Sequence, residues 1–306
     1  MYELIIIGGG PAGMTAAVYA ARKKLNTLLL SYDIGGQGLT TWLVENYMGY
    51  QFIEGRELMQ KFDEQVKQFP TDVKVEVSRR AERLSRVDGG FEVRADSGET
   101  YQAKAVILAT GKRPRQLNVP GEKELLGRGV TYCAICDGPL FADVKVAVIG
   151  GGNSALEAVD DMVKIADHVY LVSLTPLTGD QILIDKAKSA NNLTIFLEYE
   201  VLEINGESRV EGIKIRDLQS KQEKELDVGG VFVEIGLIPN SDLVKELVTL
   251  NRLAEVEVNC GNETGAPGFF AAGDVTSVPD KQIVIAAGEG AKAALQAHRY
   301  LQRLSK

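Results

Sequence analysis

Runs of consecutive apolar residues that end in glycine recur along the chain. The first run, residues 4–7, ends in a triple glycine and leads into a helical pattern of small residues at 14–24. The same order returns with an apolar run at 145–149, a triple glycine and a helical pattern at 156–166. Short apolar runs bounded by glycine are typical of buried parallel strands. A strand, a tight glycine turn and a helix open the βαβ unit that binds dinucleotides, so the pattern predicts two such units in tandem.

Further elements close and extend these two units. Each unit ends in a second apolar run followed by Gly-x-x-Pro, at residues 106–114 and 231–239. A third glycine-marked strand is predicted at 268–274 and a long helix at 284–304. Short alternating segments, which we interpret as small antiparallel sheets appended to each unit, occur at 73–77, 91–95, 194–197 and 212–217.

The order of these elements predicts a discontinuous first domain. The first unit has no closing strand and helix before a proline- and glycine-rich crossing that begins at residue 112. We therefore expect the tail of the chain to return and complete it. The expected fold is α/β, with two tandem Rossmann-like domains of the three-layer ββα type. The first domain comprises residues 1–112 and 245–306, and residues 113–244 form the second domain, inserted within the first.

Composition excludes several functional classes. Lys and Arg total 34 against 42 Asp and Glu, a net charge of −8, whereas a general nucleic-acid binder needs a basic surface. The apolar runs are strand-sized and none approaches a membrane span. A strand pattern begins within three residues of the amino terminus and only three cysteines are present, so neither a signal peptide nor a secreted disulfide framework is expected. We expect a cytoplasmic protein that binds neither nucleic acid nor membrane.

The first glycine turn has the residues that a dinucleotide requires. Gly8 permits the turn, Gly10 lets the backbone approach a pyrophosphate, and Gly13 lets helix and strand pack closely. Asp33 follows at the spacing of the acidic residue that holds a ribose hydroxyl. An equally good interpretation of Asp33 is a solvated turn residue before the next glycine pair.

The second glycine turn lacks the residue that selects the nucleotide. Gly150, Gly152 and Ala155 have the same strand and helix context as the first turn. The next strand ends at Ser173, where neither an acid for the ribose nor an arginine for a 2′-phosphate follows. NADPH is therefore disfavoured, and NADH is tolerated without being specified.

Two cysteines three residues apart are the reactive candidates of the sequence. Cys133 and Cys136 can close a disulfide, and each thiolate can act as nucleophile or leaving group. A metal site would need two further ligands at suitable spacing, which the sequence does not offer, so no metal is expected. Asp137 directly follows and can move the proton that thiol chemistry requires, although an aspartate before Gly-Pro is also an ordinary turn residue. Cys260 is interpreted as a structural thiol.

Taken together, these motifs resemble low-molecular-weight, bacterial-type thioredoxin reductases over nearly the whole chain. The chain is also similar to the flavoprotein subunit of alkyl hydroperoxide reductase at residues 136–141 and 281–283. The matching pieces are residues 8–13, 35–37, 44–47, 109–111, 133–138, 150–155 and 272–274.

The resemblance implies an FAD-dependent enzyme with a nicotinamide co-substrate and a redox-active disulfide. Cys136 would exchange electrons with flavin, Cys133 would attack the disulfide of thioredoxin or a thioredoxin-like partner, and Asp137 would be the acid–base. Arg128 matches an arginine that docks thioredoxin, with a solvated turn arginine as the alternative. A homodimer is implied. The residues implied for FAD are Gly8, Gly10, Pro11, Ala12, Gly13, Asp33, Gly36, Gln37, Asn46, Ala109, Thr110, Gly111, Gly273, Asp274, Gln282 and Ile283. Those implied for the nicotinamide nucleotide are Gly150, Gly152, Asn153, Ser154, Ala155 and Ser173.

One departure from the family pattern concerns the electron donor. NADPH-dependent relatives have a His-Arg-Arg cluster where Ser173-Leu174-Thr175 stands, and the peroxide-linked relative has an acidic residue near Ser173. We expect a thioredoxin-disulfide reductase that favours NADH over NADPH. The alternatives are the same reductase fed by ferredoxin or a deazaflavin, and a flavin redox sensor without turnover.

Overall fold

The computed structural model describes residues 1–39, 41 and 43–304, with only the backbone of Leu43. In chain order, the elements up to the middle of the chain are β1 (Tyr2–Gly9), α1 (Pro11–Arg22), β2 (Thr27–Ile34), β3 (Leu43–Val44), β4 (Ile53–Glu54), α2 (Gly55–Val66), β5 (Val73–Glu76), β6 (Ala81–Val87), β7 (Gly90–Ala95), β8 (Thr100–Leu108), β9 (Lys112–Pro114), β10 (Val130–Thr131) and α3 (Ala134–Asp137). They continue with β11 (Lys145–Ile149), α4 (Asn153–Met162), β12 (His168–Ser173), α5 (Gln181–Lys188), β13 (Leu193–Leu197), β14 (Tyr199–Asn205), β15 (Gly212–Asp217), β16 (Glu223–Asp227), β17 (Gly230–Val233), β18 (Leu237–Pro239), β19 (Phe269–Ala271) and α6 (Ile283–Leu304).

The chain divides into two compact units. Unit 1 consists of Met1–Leu39, Tyr47–Arg113 and Ile238–Lys306, and unit 2 of Thr40–Asn46 and Pro114–Leu237. The second crossing therefore lies before Ile238 and not at residue 245 as expected from the sequence. The reason is that Asn240 donates from Nδ2 to the Thr110 carbonyl at 2.8 Å, and the fully buried Val244 packs in the core of unit 1.

Unit 1 is built on one mixed sheet. Its strand order is β5-β2-β1-β8-β7-β6, with β19 also paired to β8. Strands β5, β2, β1, β8 and β19 run parallel, whereas β6 and β7 form an antiparallel extension of β8. Helix α6 crosses α1 so closely that a Cβ on Gly290 would lie 2.0 Å from the Ala12 carbonyl oxygen. The tail of the chain thus supplies the closing strand and helix that the first unit lacks, as the sequence predicts.

Unit 2 contains a second parallel sheet. Its strand order is β10-β17-β11-β12-β13, and a separate antiparallel sheet has the order β14-β15-β16. In the parallel sheet, Val146 and Val148 of β11 are fully buried beneath α4 side chains such as Val159. The fold is α/β with parallel sheets in both units, as the sequence predicts.

Two alternating segments belong to different sheets from those expected. Strand β5 pairs with β2 in parallel, and β13 pairs with β12 in parallel, so neither is part of an antiparallel sheet. Both lie at the edge of their sheet. An edge strand is covered less completely than an inner one, and its half-buried pattern resembles that of an antiparallel strand. None of the helices in the part of the chain that the structure describes has the length and apolar character needed to cross a membrane.

Candidate functional site

The turn between β1 and α1 leaves space where the sequence predicts a pyrophosphate. Gly8 has φ of +112°, and a Cβ there would lie 2.3 Å from the Ala109 carbonyl oxygen. A Cβ on Gly13 would lie 1.8 Å from the carbonyl oxygen of Gly8, so both positions require glycine. By contrast, nothing lies within 4 Å of a Cβ built on Gly10, and this residue caps α1 without any side-chain hydrogen bond. The open space in front of the uncapped helix end suits a diphosphate.

Asp33 serves the neighbouring turn. Its Oδ1 accepts a hydrogen bond from the Gly36 backbone N–H at 3.0 Å, and its side chain is exposed. Ser31 supports the same place, because its Oγ accepts from the Gly9 N–H at 2.7 Å and donates to the Asp33 carbonyl at 2.6 Å. The hydrogen bond from Gly36 supports the interpretation of Asp33 as a turn residue. A contact of Asp33 with a ribose stays a prediction.

The Gly273–Asp274 turn is held by buried polar groups of unit 1. Asp274 accepts from Gln37 Nε2 at 3.1 Å, and burial raises the pKa of its carboxyl, against the charges of Lys281 and Lys112 and the Gln37 hydrogen bond. The Gly273 N–H donates to Glu289 Oε2 at 2.8 Å. These contacts bring the predicted pair Gln37 and Asp274 together.

Glu289, which sequence reasoning missed, is the centre of a buried network. Only 2 % of Glu289 is exposed, and it also accepts from Thr276 Oγ1 at 3.1 Å and Asn262 Nδ2 at 3.2 Å. A buried carboxyl with three donors fixes the backbone of the Gly273 turn. Its position in the long helix α6 gave no signal, because its partners come from other elements.

The other residues predicted for FAD are placed in both units. Ala109 contacts the Gly8 turn, Thr110 exchanges hydrogen bonds with Asn240, and Gln282 and Ile283 stand at the start of α6. Asn46 lies in the segment that belongs to unit 2, and its role toward FAD stays a prediction.

The turn between β11 and α4 repeats the first turn in unit 2. Gly150 has φ of +145°, and a Cβ there would lie 2.3 Å from the Glu234 carbonyl oxygen, whereas Gly152 has an open side. Asn153 holds the facing loop through a hydrogen bond from the Asp180 N–H at 2.7 Å. The open glycine at the start of a helix again suits a nucleotide phosphate.

Ser173 is less available to a nucleotide than its position in the sequence suggests. It is only 2 % exposed, and a Cβ on Gly151 would lie 2.4 Å from its Oγ. Leu174 is 59 % exposed and Thr175 is also exposed, so these two side chains stand at the surface beyond β12. Neither carries a charge.

Cys133 and Cys136 form a disulfide at α3. The S–S distance is 2.07 Å, and the Cys136 N–H lies 3.2 Å from Cys133 Sγ. Asp137 follows with 7 % exposure, and its Oδ2 accepts a hydrogen bond from Thr131 Oγ1. The same Thr131 oxygen accepts from the Cys133 N–H at 3.2 Å. Thr131 therefore connects the acid to the cysteine pair.

Asp137 is a buried acid with one free oxygen. Its Oδ1 accepts no hydrogen bond from any residue that the structure describes. Burial raises the pKa of this carboxyl, and the Thr131 hydrogen bond opposes the increase. A carboxyl that keeps its proton to a higher pH than usual, beside a disulfide, can supply a proton to a thiolate.

A cavity of about 630 Å³ in unit 2 reaches Asp137 from the side of the loop that contains Arg128. Arg128 is exposed, between two glycines with positive φ, Gly127 and Gly129. Phe141 and Val210 supply apolar lining. The arginine therefore borders an apolar recess at the surface of unit 2.

Cys260 corrects one interpretation of the sequence. It is a free and exposed thiol, not a buried structural one. The apolar alternation that precedes it ends before a turn in which Asn259 Oδ1 accepts from the Gly261 N–H at 2.8 Å, and this turn carries Cys260 to the surface.

The two glycine turns, the parallel sheets and the disulfide define the class of protein. Residues 2–294 match the family described as pyridine nucleotide-disulphide oxidoreductase, and the chain belongs to that family. Its structure resembles a crystal structure of thioredoxin reductase from Streptococcus pyogenes MGAS5005, with a TM-score of 0.93, 35% identity and 99% of both chains covered.

Among curated proteins, the chain is similar to longer relatives. It is 44% identical to an alkyl hydroperoxide reductase subunit of Pseudomonas putida over 99% of this chain and 59% of the relative. It is 42% identical to an NADH dehydrogenase of Bacillus subtilis (strain 168), with the same 99% and 59% covered. The chain thus spans about three fifths of the length of these relatives. Membership of the family makes it an oxidoreductase and implies FAD and a nicotinamide co-substrate.

Proposed function

We propose that this chain is an FAD-dependent disulfide reductase that passes electrons from a nicotinamide through Cys133 and Cys136 to the disulfide of thioredoxin or a thioredoxin-like protein. The observation that carries the proposal is the Cys133–Cys136 disulfide next to the buried acid Asp137. The open glycine turns at Gly10 and Gly152 suit the two nucleotides. A homodimer and a cytoplasmic location stay predictions.

FAD, when bound, supplies a two-electron carrier between the nicotinamide and the disulfide. The residues that would hold it are those of the Gly8–Gly13 turn together with Gln37 and Asp274. On reduction, the cysteine disulfide takes up two electrons and one proton, and its sulfurs become a thiol and a thiolate. The protein's own contribution is to hold the disulfide at α3 beside an acid. This acid can supply the second proton that the partner needs to leave as a dithiol.

The transfer to the partner is a thiol–disulfide exchange. The Cys133 sulfur, as thiolate, attacks one partner sulfur, and the other partner sulfur leaves with the electron pair of the broken bond. Asp137 protonates the leaving thiolate, and the resulting carboxylate then takes the proton of the Cys136 thiol. Cys136 then attacks Cys133 in the mixed disulfide, which releases the partner as a dithiol and restores the disulfide of this chain.

The proposed function is tested by reducing the yellow holoprotein anaerobically and monitoring the flavin absorbance by stopped flow. NADH should bleach the flavin, and added thioredoxin should restore its colour repeatedly. A protein that cannot be loaded with FAD would overturn the proposal. Flavin that neither nicotinamide reduces, but that ferredoxin or a deazaflavin does, would establish the alternative donor. Reduction without turnover of any disulfide would establish the redox sensor.

A second acceptor is favoured by the names of the relatives. Several are named as a subunit of an alkyl hydroperoxide reductase, so another component of such an enzyme is a candidate acceptor of the electrons. Turnover with a thioredoxin and with a peroxide-reducing disulfide protein, compared at equal concentration, separates the two acceptors.

We predict that the protein prefers NADH over NADPH. Binding of the 2′-phosphate normally rests on Arg or Lys donors, and Leu174 and Thr175 offer none at the surface. Each missing charge-assisted hydrogen bond costs about 1.5–3 kcal/mol, so NADPH should bind at least tenfold more weakly. The name of the Bacillus subtilis relative agrees with this preference. Flavin reduction rates at low concentrations of each nucleotide measure it, and faster reduction by NADPH would contradict it.

The same measurement on a double variant locates the selectivity. Leu174→Arg with Thr175→Arg should move the preference toward NADPH by about tenfold or more. Ser173 is left unchanged because it is buried against Gly151. Leu253→Arg, which adds the same kind of charge at an exposed position of unit 1, should leave the preference unchanged.

We predict that Arg128 docks the protein partner. It is exposed beside the apolar recess of unit 2, so an arginine-to-alanine change removes a surface charge and little packing. Arg128→Ala should raise the KM for the partner severalfold and leave reduction of a small disulfide reagent intact. Arg252→Ala, an exposed arginine of unit 1, is the control. Equal loss with both substrates would show a folding role instead.

A further inference from the structure

Glu234 places a carboxyl group directly against the start of the redox helix. It follows the end of β17, and its Oε1 accepts a hydrogen bond from the Ala134 backbone N–H at 3.3 Å. Ala134 directly follows Cys133 and is the first residue of α3. This is the one side-chain hydrogen bond of Glu234 to any residue that the structure describes, and the residue is partly buried. The carboxyl therefore depends on one amide of the cysteine loop.

The surroundings of Glu234 leave its carboxyl only partly ionised near neutral pH. Burial raises the pKa of Glu234 to about 7, the Ala134 N–H lowers it, and the nearby charge of Glu157 on α4 raises it further. An ordinary glutamate would be almost fully ionised at that pH. Small changes in the neighbouring charge will therefore change the protonation of this group.

The other elements around Glu234 bring few charges to it. Helix α3 contributes Cys136 and Asp137, whose pKa burial also raises, and Cys133 is the N-cap of this helix. Strand β11 has a lysine only at its opposite end, Lys145, and β10 has no ionisable residue. Arg115 lies beside Gly236, two residues further along. Among the residues that the structure describes, the negative charge that reduction adds near Glu234, besides those of Glu157 and Asp137, is thus a thiolate of the cysteine pair.

We propose that Glu234 is a positioning residue of the Cys133–Cys136 pair whose negative charge opposes thiolate formation, so that reduction of the pair and protonation of Glu234 favour each other. The disulfide takes up two electrons and one proton and yields a thiol and a thiolate. A carboxylate at the Ala134 amide repels that thiolate and occupies the backbone donor of the residue that follows Cys133. Because such coupling is reciprocal, the thiolate in turn raises the proton affinity of Glu234.

Reduction of the pair therefore depends on pH with a defined sign. Above the pKa of Glu234 the carboxylate is present, the disulfide is harder to reduce, and the reduced pair is a stronger reductant. Below that pKa the group is neutral and the penalty disappears. This role of Glu234 rests on the proposed function in one respect only, that the pair cycles between disulfide and dithiol.

The test is the equilibrium of the pair with dithiothreitol, measured anaerobically on the holoprotein as a function of pH. Dithiothreitol gives up two electrons and two protons as it closes to its cyclic disulfide; one proton stays on a cysteine and the other goes to Glu234 or to solvent. Acid quenching and alkylation count the thiols. The experiment uses the Cys260→Ser background, because Cys260 is an exposed third thiol.

Glu234→Gln keeps the shape and the acceptor but removes the charge. At about 1.5 pH units above the pKa of Glu234, the variant should be reduced with an equilibrium constant about tenfold higher than the parent, about 30 mV for a two-electron couple. At about one unit below that pKa, the two should agree within about twofold. Glu225→Gln, an exposed glutamate on β16, should follow the parent throughout. The proposal would be overturned if variant and parent had equal equilibrium constants at both pH values. It would also be overturned if they differed by the same factor at both.

A measurement on the unchanged Glu234 keeps the proposal falsifiable if the variant does not fold. Infrared difference spectra at neutral pH should show more protonated carboxyl after reduction. They are recorded in an Asp137→Asn background so that the other acid beside the cysteine pair does not contribute. No increase would overturn the proposal. A reduced pair that fails to re-form its disulfide when the cyclic disulfide of dithiothreitol is added in excess would overturn the proposed function as well. A pair that cycles, but with the same ratio of variant to parent equilibrium constants at every pH, overturns this inference alone.

Discussion

Replacing either cysteine of the pair with serine is expected to abolish disulfide reduction and to leave flavin binding intact. Exchange needs one sulfur that attacks and one that resolves, and Cys133 and Cys136 are already bonded to each other at 2.07 Å. Both lie in unit 2, whereas the Gly8–Gly13 turn and Asp274 belong to unit 1. Flavin absorbance after purification measures binding, and NADH consumption with thioredoxin measures activity.

The third cysteine provides the control for this experiment. Cys260 is free and exposed, so Cys260→Ser should retain full activity. The two active-site variants should differ in one respect. With Cys136→Ser, Cys133 can still attack a partner but cannot be resolved, so a trapped mixed disulfide should accumulate. Substantial turnover by either variant of the pair would contradict the proposed disulfide chemistry.

The parts of the fold that the sequence predicts well are those that depend on short stretches of chain. The apolar runs that become β1 and β11, the glycine turns after them and the long helix α6 are local patterns, and each lies where it is predicted. The alternating segments at 73–77 and 194–197 predict antiparallel sheets, but β5 and β13 pair in parallel, because an alternating pattern reflects partial burial and not the direction of the neighbouring strand.

The residues that the sequence did not reveal depend on distant contacts. Glu234 meets Ala134 across 100 positions of the chain, and Glu289 meets the Gly273 amide from a different element. A glutamate at the end of an apolar strand or inside a small-residue helix carries no periodic signal of its own. Only the fold shows how far its carboxyl is withdrawn from solvent and which amide it accepts from. The Cys133–Cys136 pair is predictable because its spacing in the sequence is itself the signal.

Asp137→Asn is expected to fold normally and to slow disulfide turnover by about 10²-fold or more, the usual cost of losing a general acid. Asparagine has nearly the same shape and can still accept a hydrogen bond from Thr131, which in the present structure donates to Asp137 Oδ2. What it cannot do is give a proton to a thiolate. Asp143→Asn, an exposed aspartate of the same unit, should leave turnover unchanged. Steady-state rates with saturating partner measure the difference.

The pH profile distinguishes proton donation from a structural role of Asp137. Burial raises the pKa of Asp137, so the acid form persists to higher pH than in an exposed aspartate. Turnover that uses this proton should fall as the pH rises through that raised pKa, and this limb of the profile should be absent in Asp137→Asn. A variant that is slowed by the same factor at every pH, and so keeps the same limb, would assign the proton to another group. Glu234, whose pKa lies at about 7, would then be the next acid to replace.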